Sequence, residues 1–204
     1  MNPIIFFVSA NASKINLQMS KIYKDCSYSE DYKHLEKCLD ITINHVEIHE
    51  KCEVIDKDAF NGCSRFSEVS LPSKVKEIGN GAFANCRALR KVKATDNLEK
   101  IGSHAFYQCI LLEDFFISDN IIEIAPHSFH DCRGLKTVSG LKGVFSIGDH
   151  AFFGCLDLKN ITLPIAYVRI GENAFEECEN LPSETKCVLE EWRKTTLEKN
   201  DVVI

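Results

Sequence analysis

Apolar residues recur along this chain at a fixed interval of 23 positions. Ile55, Ile78, Ile101, Ile124, Ile147 and Ile170 form one column, and Phe60, Phe83, Phe106, Phe129, Phe152 and Phe175 a second. Cys63, Cys86, Cys109, Cys132, Cys155 and Cys178 form a third, and no insertion interrupts any of them. Eleven residues after each Ile stands Phe66, Leu89, Leu112, Leu135, Leu158 or Leu181. The pairs Val69/Leu71, Val92/Ala94, Phe115/Ile117, Val138/Gly140 and Ile161/Leu163 follow, each separated by one outward residue, as in a short half-buried strand. Val75, Leu98, Ile121, Val144 and Tyr167 then return the chain inward before the next Ile.

A unit of this size cannot bury its own apolar side, so units must stack, and equivalent residues line up as ladders through one continuous core. The spacing predicts six repeats over residues 55–192. Residues 1–54 form an N-terminal cap with one degenerate repeat, in which Ile43, Val46, Ile48 and Cys52 are in phase. Lys33–Asp40 reads as a short helix over one end, and 183–194 as a capping helix over the other, with Val188, Leu189 and Trp192 on one side. Residues 195–204 are left as a C-terminal tail. The expected fold is an α/β repeat: a single-domain, right-handed solenoid with short parallel strands on one face, short helical turns on the other, and helical caps.

The two halves of the repeat, Ile-Gly-x-x-Ala-Phe-x-x-Cys and Leu-x-x-Val-x-Leu-Pro, resemble the BspA-like type of leucine-rich repeat over about two thirds of the chain. Proteins of that type include surface antigens and adhesins, so the resemblance implies a leucine-rich-repeat solenoid that attaches to host cells or matrix proteins. It also implies a location at the cell surface or outside the cell.

Charge narrows the partner classes. Acids outnumber Lys and Arg by 30 to 24, giving a formal charge of −6, the wrong sign for neutralising nucleic-acid phosphates. No apolar run reaches the roughly 18 residues of a membrane span. Ile4 to Val8 precedes Ala10-Asn11-Ala12, a weak form of a secretory leader with a short apolar run and no preceding Lys or Arg. A cytoplasmic location follows if that segment is a plain strand or cap.

The chain has 10 cysteines, below the density of a disulfide scaffold. A column of thiols spaced by 23 residues does not match the close pairs of zinc sites, and buried free thiols packed behind the phenylalanines are the expected state. Cys26, Cys38, Cys52 and Cys187 lie outside the column, and Cys26 and Cys38 would bridge if the protein is extracellular. His104, His127 and His150 are also 23 apart, with His130 near His127. Such a trio suggests a metal-binding or pH-sensitive surface. The same column holds Asp58, Gly81 and Asn173, however, a polar series suited to a turn, and no carboxylates stand at ligand spacing.

His130-Asp131-Cys132 does not make a nucleophilic site if Cys132 is buried. No phosphate-binding, zinc-protease or nucleophile-elbow motif occurs. The expectation is therefore a non-enzymatic protein, without cofactor, that binds a protein partner. Its binding grid is the outward face of the strands: Glu68, Lys91, Asp114, Thr137 and Asn160 in one column, and Ser70, Lys93, Phe116, Ser139 and Thr162 in the next. Phe116 is the aromatic anchor candidate. Asn160-Ile161-Thr162 and Asn11-Ala12-Ser13 are sequons that matter only in the secretory pathway. An intracellular scaffold using the same face is the competing reading.

Overall fold

The computed structural model describes residues 21–163 and 168–200. The leader-like segment and Tyr167 lie outside them. In chain order the strands are β1 Lys21–Tyr23, β2 Cys26–Tyr28, β3 His34–Cys38, β4 Val54–Ile55, β5 Glu68–Ser70, β6 Glu77–Ile78, β7 Lys91–Lys93 and β8 Lys100–Ile101. They continue as β9 Asp114–Phe116, β10 Glu123–Ile124, β11 Thr137–Ser139, β12 Ser146–Ile147, β13 Asn160–Ile161 and β14 Arg169–Ile170, and helix α1 spans Ser183–Asn200. Each of the first five repeats contributes two strands, and the sixth contributes one before the chain enters α1. The Val strands build a five-stranded sheet in the order β13-β11-β9-β7-β5, and the Ile strands build a second wall, β4-β6-β8 and then β10-β12-β14. All pairs between repeats are parallel and join equivalent residues, such as Val69 with Val92 and Ile55 with Ile78.

The core lies between these walls. Five of the six ladder phenylalanines are fully buried, and Phe175 in the last repeat is partly covered. Their rings stack with centroids 5.0–5.4 Å apart. That separation exceeds face-to-face contact, so the rings are offset, the arrangement their quadrupoles favour.

The third side of each repeat is not helical. Three overlapping turns run through it, as in Ala59 N–H to Asp56 C=O, Asn61 N–H to Asp58 C=O and Cys63 N–H to Phe60 C=O. Alternate peptide groups instead lie along the solenoid axis. The N–H groups of Asp58, Gly81, His104, His127 and His150 each donate to a carbonyl of the next repeat, and two parallel columns do the same through the phenylalanines and through Gly62, Asn85, Gln108, Asp131 and Gly154. A continuing helix would direct these N–H groups back along its own axis; the solenoid uses them to tie its repeats together. The two flanking columns need positive φ, and their residues have it, from 51° at Asn173 to 81° at Gly62.

The wall of Ile strands breaks once, between β8 and β10. Repeats two, three, five and six carry glycine after the Ile, and a Cβ on Gly102 would come within 2.6 Å of the Asn80 backbone nitrogen. Repeat four has Ala125 there. The break falls at this repeat.

The caps differ from expectation. Lys33–Asp40 holds strand β3 rather than a helix: β1, β2 and β3 form an antiparallel meander, and β3 pairs with β4 through Leu35 and Ile55. Strand pairing satisfies the open backbone edge of the first repeat, which a helix laid across it would not. At the other end α1 extends past the expected residue 194 through Asn200, burying Leu189 and half-burying Trp192. In the sixth repeat Val168 is buried at the inward return.

Candidate protein-binding face

The strand face carries the predicted residues, the first column in register throughout and the second in two pairs. Glu68 lies opposite Lys91, Lys91 opposite Asp114, Asp114 opposite Thr137, and Thr137 opposite Asn160. In the second column Ser70 lies opposite Lys93 and Phe116 opposite Ser139. Glu68, Ser70, Lys91, Lys93, Asp114, Phe116, Asn160 and Thr162 are exposed, while Thr137 and Ser139 are half-buried. Lys93 is 3.9 Å from Glu68, a loose exposed pair of little energetic weight. Ion pairs at the margin link adjacent repeats: the Glu113 carboxylate receives Arg90 at 3.1 Å and Lys136 at 3.2 Å. Together they pull the Glu113 carboxyl below the usual range. Phe116 is 42% exposed between these polar neighbours, so its ring is available without desolvating a charge.

The cysteine ladder faces inward. The Sγ of Cys86, Cys109, Cys132, Cys155 and Cys178 each donates to the carbonyl of the ladder phenylalanine one repeat earlier, at 3.1–3.2 Å. That carbonyl also receives the N–H of the cysteine in its own repeat. Each thiol therefore adds a tie between repeats. Burial pushes the thiols of Cys86, Cys109, Cys132 and Cys155 well above the usual range, which makes them poor nucleophiles. The Cys52 thiol is pushed up to about 12 for the same reason. Cys26 and Cys38 lie directly opposite each other in β2 and β3 as free thiols, and Cys63 is the ladder member beside Cys38. Cys187 is the exposed one of the ten.

The histidine column stands on the turn side, away from the grid. His104 stacks on His127 at 4.6 Å, and His127 on His150 at 4.9 Å. His130 lies 5.5 Å from His127 and 6.3 Å from His150. Parallel rings present their nitrogens side by side rather than toward a common point, and among the described residues no group of three His, Cys, Asp or Glu could hold a metal ion.

Sequence reasoning missed a second apolar spot. Ile122 and Phe145 are 56% and 52% exposed on adjacent repeats, joined by the Phe145 N–H to Ile122 C=O bond. They occupy the column that holds Glu53, Lys76 and Glu99 in the earlier repeats, where Lys76 pairs with Glu99 at 2.9 Å. The change from charged to apolar along that column was the available signal.

No helix among the described residues is long and apolar enough to cross a membrane. No curated protein sequence matches significantly. Solved structures share the fold: a leucine-rich repeat protein of T. pallidum is 23% identical over 90% of this chain and 96% of its own, with a TM-score of 0.61. The pneumococcal vaccine antigen PcpA is 18% identical over 85% of this chain and 45% of its own, with a TM-score of 0.67. A leucine-rich cell surface protein of Faecalibacterium prausnitzii is 24% identical over 71% of this chain, at a TM-score of 0.61. This chain spans 39% of that protein's length. The model of the BspA type leucine rich repeat region matches residues 31–158 in six copies, and the chain belongs to that family.

Proposed function

We propose that the protein is a non-catalytic module that binds a protein partner across strands β5, β7, β9, β11 and β13. The observation that carries this reading is the in-register grid centred on the 42% exposed Phe116. A rigid sheet presents such a grid preorganised, so little side-chain order is lost on binding. Membership of a repeat family whose solenoids serve protein interaction supports it, and the buried, satisfied thiols leave no nucleophile on the ladder. The finer reading is attachment to a host-cell or matrix protein, in keeping with the surface and antigen relatives.

The test is the double substitution Lys93→Ala and Phe116→Ala. Removing a central anchor typically costs 2 kcal/mol or more, so affinity for a partner captured by the native protein is expected to fall by at least about 30-fold. The far-UV spectrum and unfolding midpoint should stay unchanged. Unaltered affinity would move the site off the strand face.

A second reading, an intracellular scaffold using the same face, is favoured by the cysteine ladder, in which five of the six thiol protons are engaged in ties between repeats. Intact mass after alkylation, with and without reduction, separates the two. Ten alkylated cysteines on an unprocessed, unglycosylated chain from its own cells supports the scaffold, and a glycan on Asn160 or a protected Cys26–Cys38 pair supports secretion.

A further inference from the structure

The turn side of repeats three to five packs four imidazoles with two other rings. Tyr107 lies 5.7 Å from His104 and 5.2 Å from His130, and Phe153 lies 4.9 Å from His130 and 5.6 Å from His150. The Nδ1 atoms of His130 and His150 are buried without a hydrogen-bond partner among the described residues. His104, His127 and His150 also hold the left-handed backbone that turns their N–H groups onto the next repeat. The stack thus sits on one of the three hydrogen-bonded columns that tie the repeats together.

We propose that this stack is a pH-responsive element: with neutral imidazoles the turn layer of repeats three to five is closed, and on acidification it opens while the strand face persists. Stacked neutral rings attract one another; protonated rings at 4.6–4.9 Å repel, a proton on the buried Nδ1 of His130 finds no hydrogen-bond acceptor, and protonating His150 Nε2 sets it against the Asn173 amide nitrogen 3.3 Å away. The opposing carboxylates are few and placed aside. Asp131 lies 3.6 Å from His130 Nδ1, beyond hydrogen-bond reach, and is engaged by Arg133 at 3.2 Å. Asp149 faces His127 but accepts the Glu172 N–H, and Glu177 lies at the edge of His130. Tyr107 offers only a phenol.

Burial, with the neighbouring imidazoles, holds His127 below the usual histidine range, and burial does the same for His130 against the pull of Asp131. The unfolded chain therefore binds more protons than the folded one below about pH 6.5, and stability is present above that pH and lost as pH falls.

The test is a pH series from 8 to 5 on the native protein and on a variant carrying His104→Asn, His127→Asn, His150→Asn and His130→Tyr. Asparagine already holds the column at Asn173, and tyrosine the neighbouring one at Tyr107. The native unfolding midpoint is expected to fall by about 4 °C or more between pH 7.5 and 5.5, with the variant falling by less than half of that. Deuterium exchange, corrected for intrinsic rates, should show protection lost at 103–108, 126–131 and 149–154 and kept in the β strands. An equal fall in both proteins, or exchange that changes uniformly, overturns the proposal. If the variant does not fold, ring titrations of the native protein decide: His127 and His130 titrating near pH 6.5 or above overturn it too.

Discussion

Replacing Phe106 with alanine is expected to lower the stability of the fold by about 3–5 kcal/mol, measured by urea unfolding. The ring is fully buried and stacked on both sides, 5.4 Å from Phe83 and 5.2 Å from Phe129, with Phe115 5.0 Å away. The cavity cannot close by collapse, because the backbone at Phe106 is pinned in both directions. Its N–H donates to Ser128 C=O, and its carbonyl receives the Cys132 thiol and the Cys109 N–H. Phe175→Ala is the internal comparison. That ring ends the stack, touching Phe152 alone among the ladder rings, and is only partly covered, so its loss should cost about half as much or less. Equal costs would mean that the ladder stabilises each repeat separately rather than as one stack.

That comparison depends on columns that were legible in the primary structure, since a ladder of Ile, Phe and Cys without insertion leaves stacking as the one way to bury it. The face that the strands turn outward was legible for the same reason: the period of two assigns Phe116 and Lys93 to one side and Phe115 and Val92 to the other. The cap was not. Leu35 and Cys38 are three apart, a helical spacing, yet both are buried from a strand because Leu35 pairs with Ile55 and Cys38 lies opposite Cys26. Nothing local distinguishes the two; the unpaired edge of β4 decides.

The turn layer was legible only in half. Asp, Gly, His and Asn share a column because they tolerate the left-handed backbone better than other residues. That explains how histidines came to be spaced by 23 without a ligand to hold. The companion column includes Gln108 and Glu177, at φ of 56° and 60°, and carries no such compositional mark. Long-range pairing between repeats imposes that conformation there, so the segment was read as a helical turn. Ile122 and Phe145 were passed over because outward columns were read only along the Val strands, whereas these two residues directly precede the Ile strands β10 and β12.

Gly140→Ala is expected to be the other costly substitution, on the order of 4 kcal/mol. Gly140 was counted with Ala94 and Ile117 as an inward strand position, yet it is glycine for two separate reasons. Its φ is 96°, a backbone that costs a non-glycine residue about 1–3 kcal/mol. A Cβ there would also collide with the Ile117 carbonyl oxygen, and forced overpacking adds about 1–3 kcal/mol. Gly62→Ala separates the two contributions, because Gly62 has φ 81° and nothing within 4 Å of its added Cβ. It should carry the backbone cost alone. The collision also bears on binding, since Ser139, the neighbour of Gly140, accepts the Ile117 N–H at 2.8 Å and lies opposite Phe116. Pushing Ile117 aside tilts the end of β9 that presents the aromatic anchor. Gly140→Ala should therefore weaken partner binding as well as stability, whereas Gly62→Ala, on the turn side, should lower stability and leave binding intact. Equal stability losses would show that the two strands part without resistance at Ile117, and the sheet face would then be less rigid than its hydrogen bonds imply.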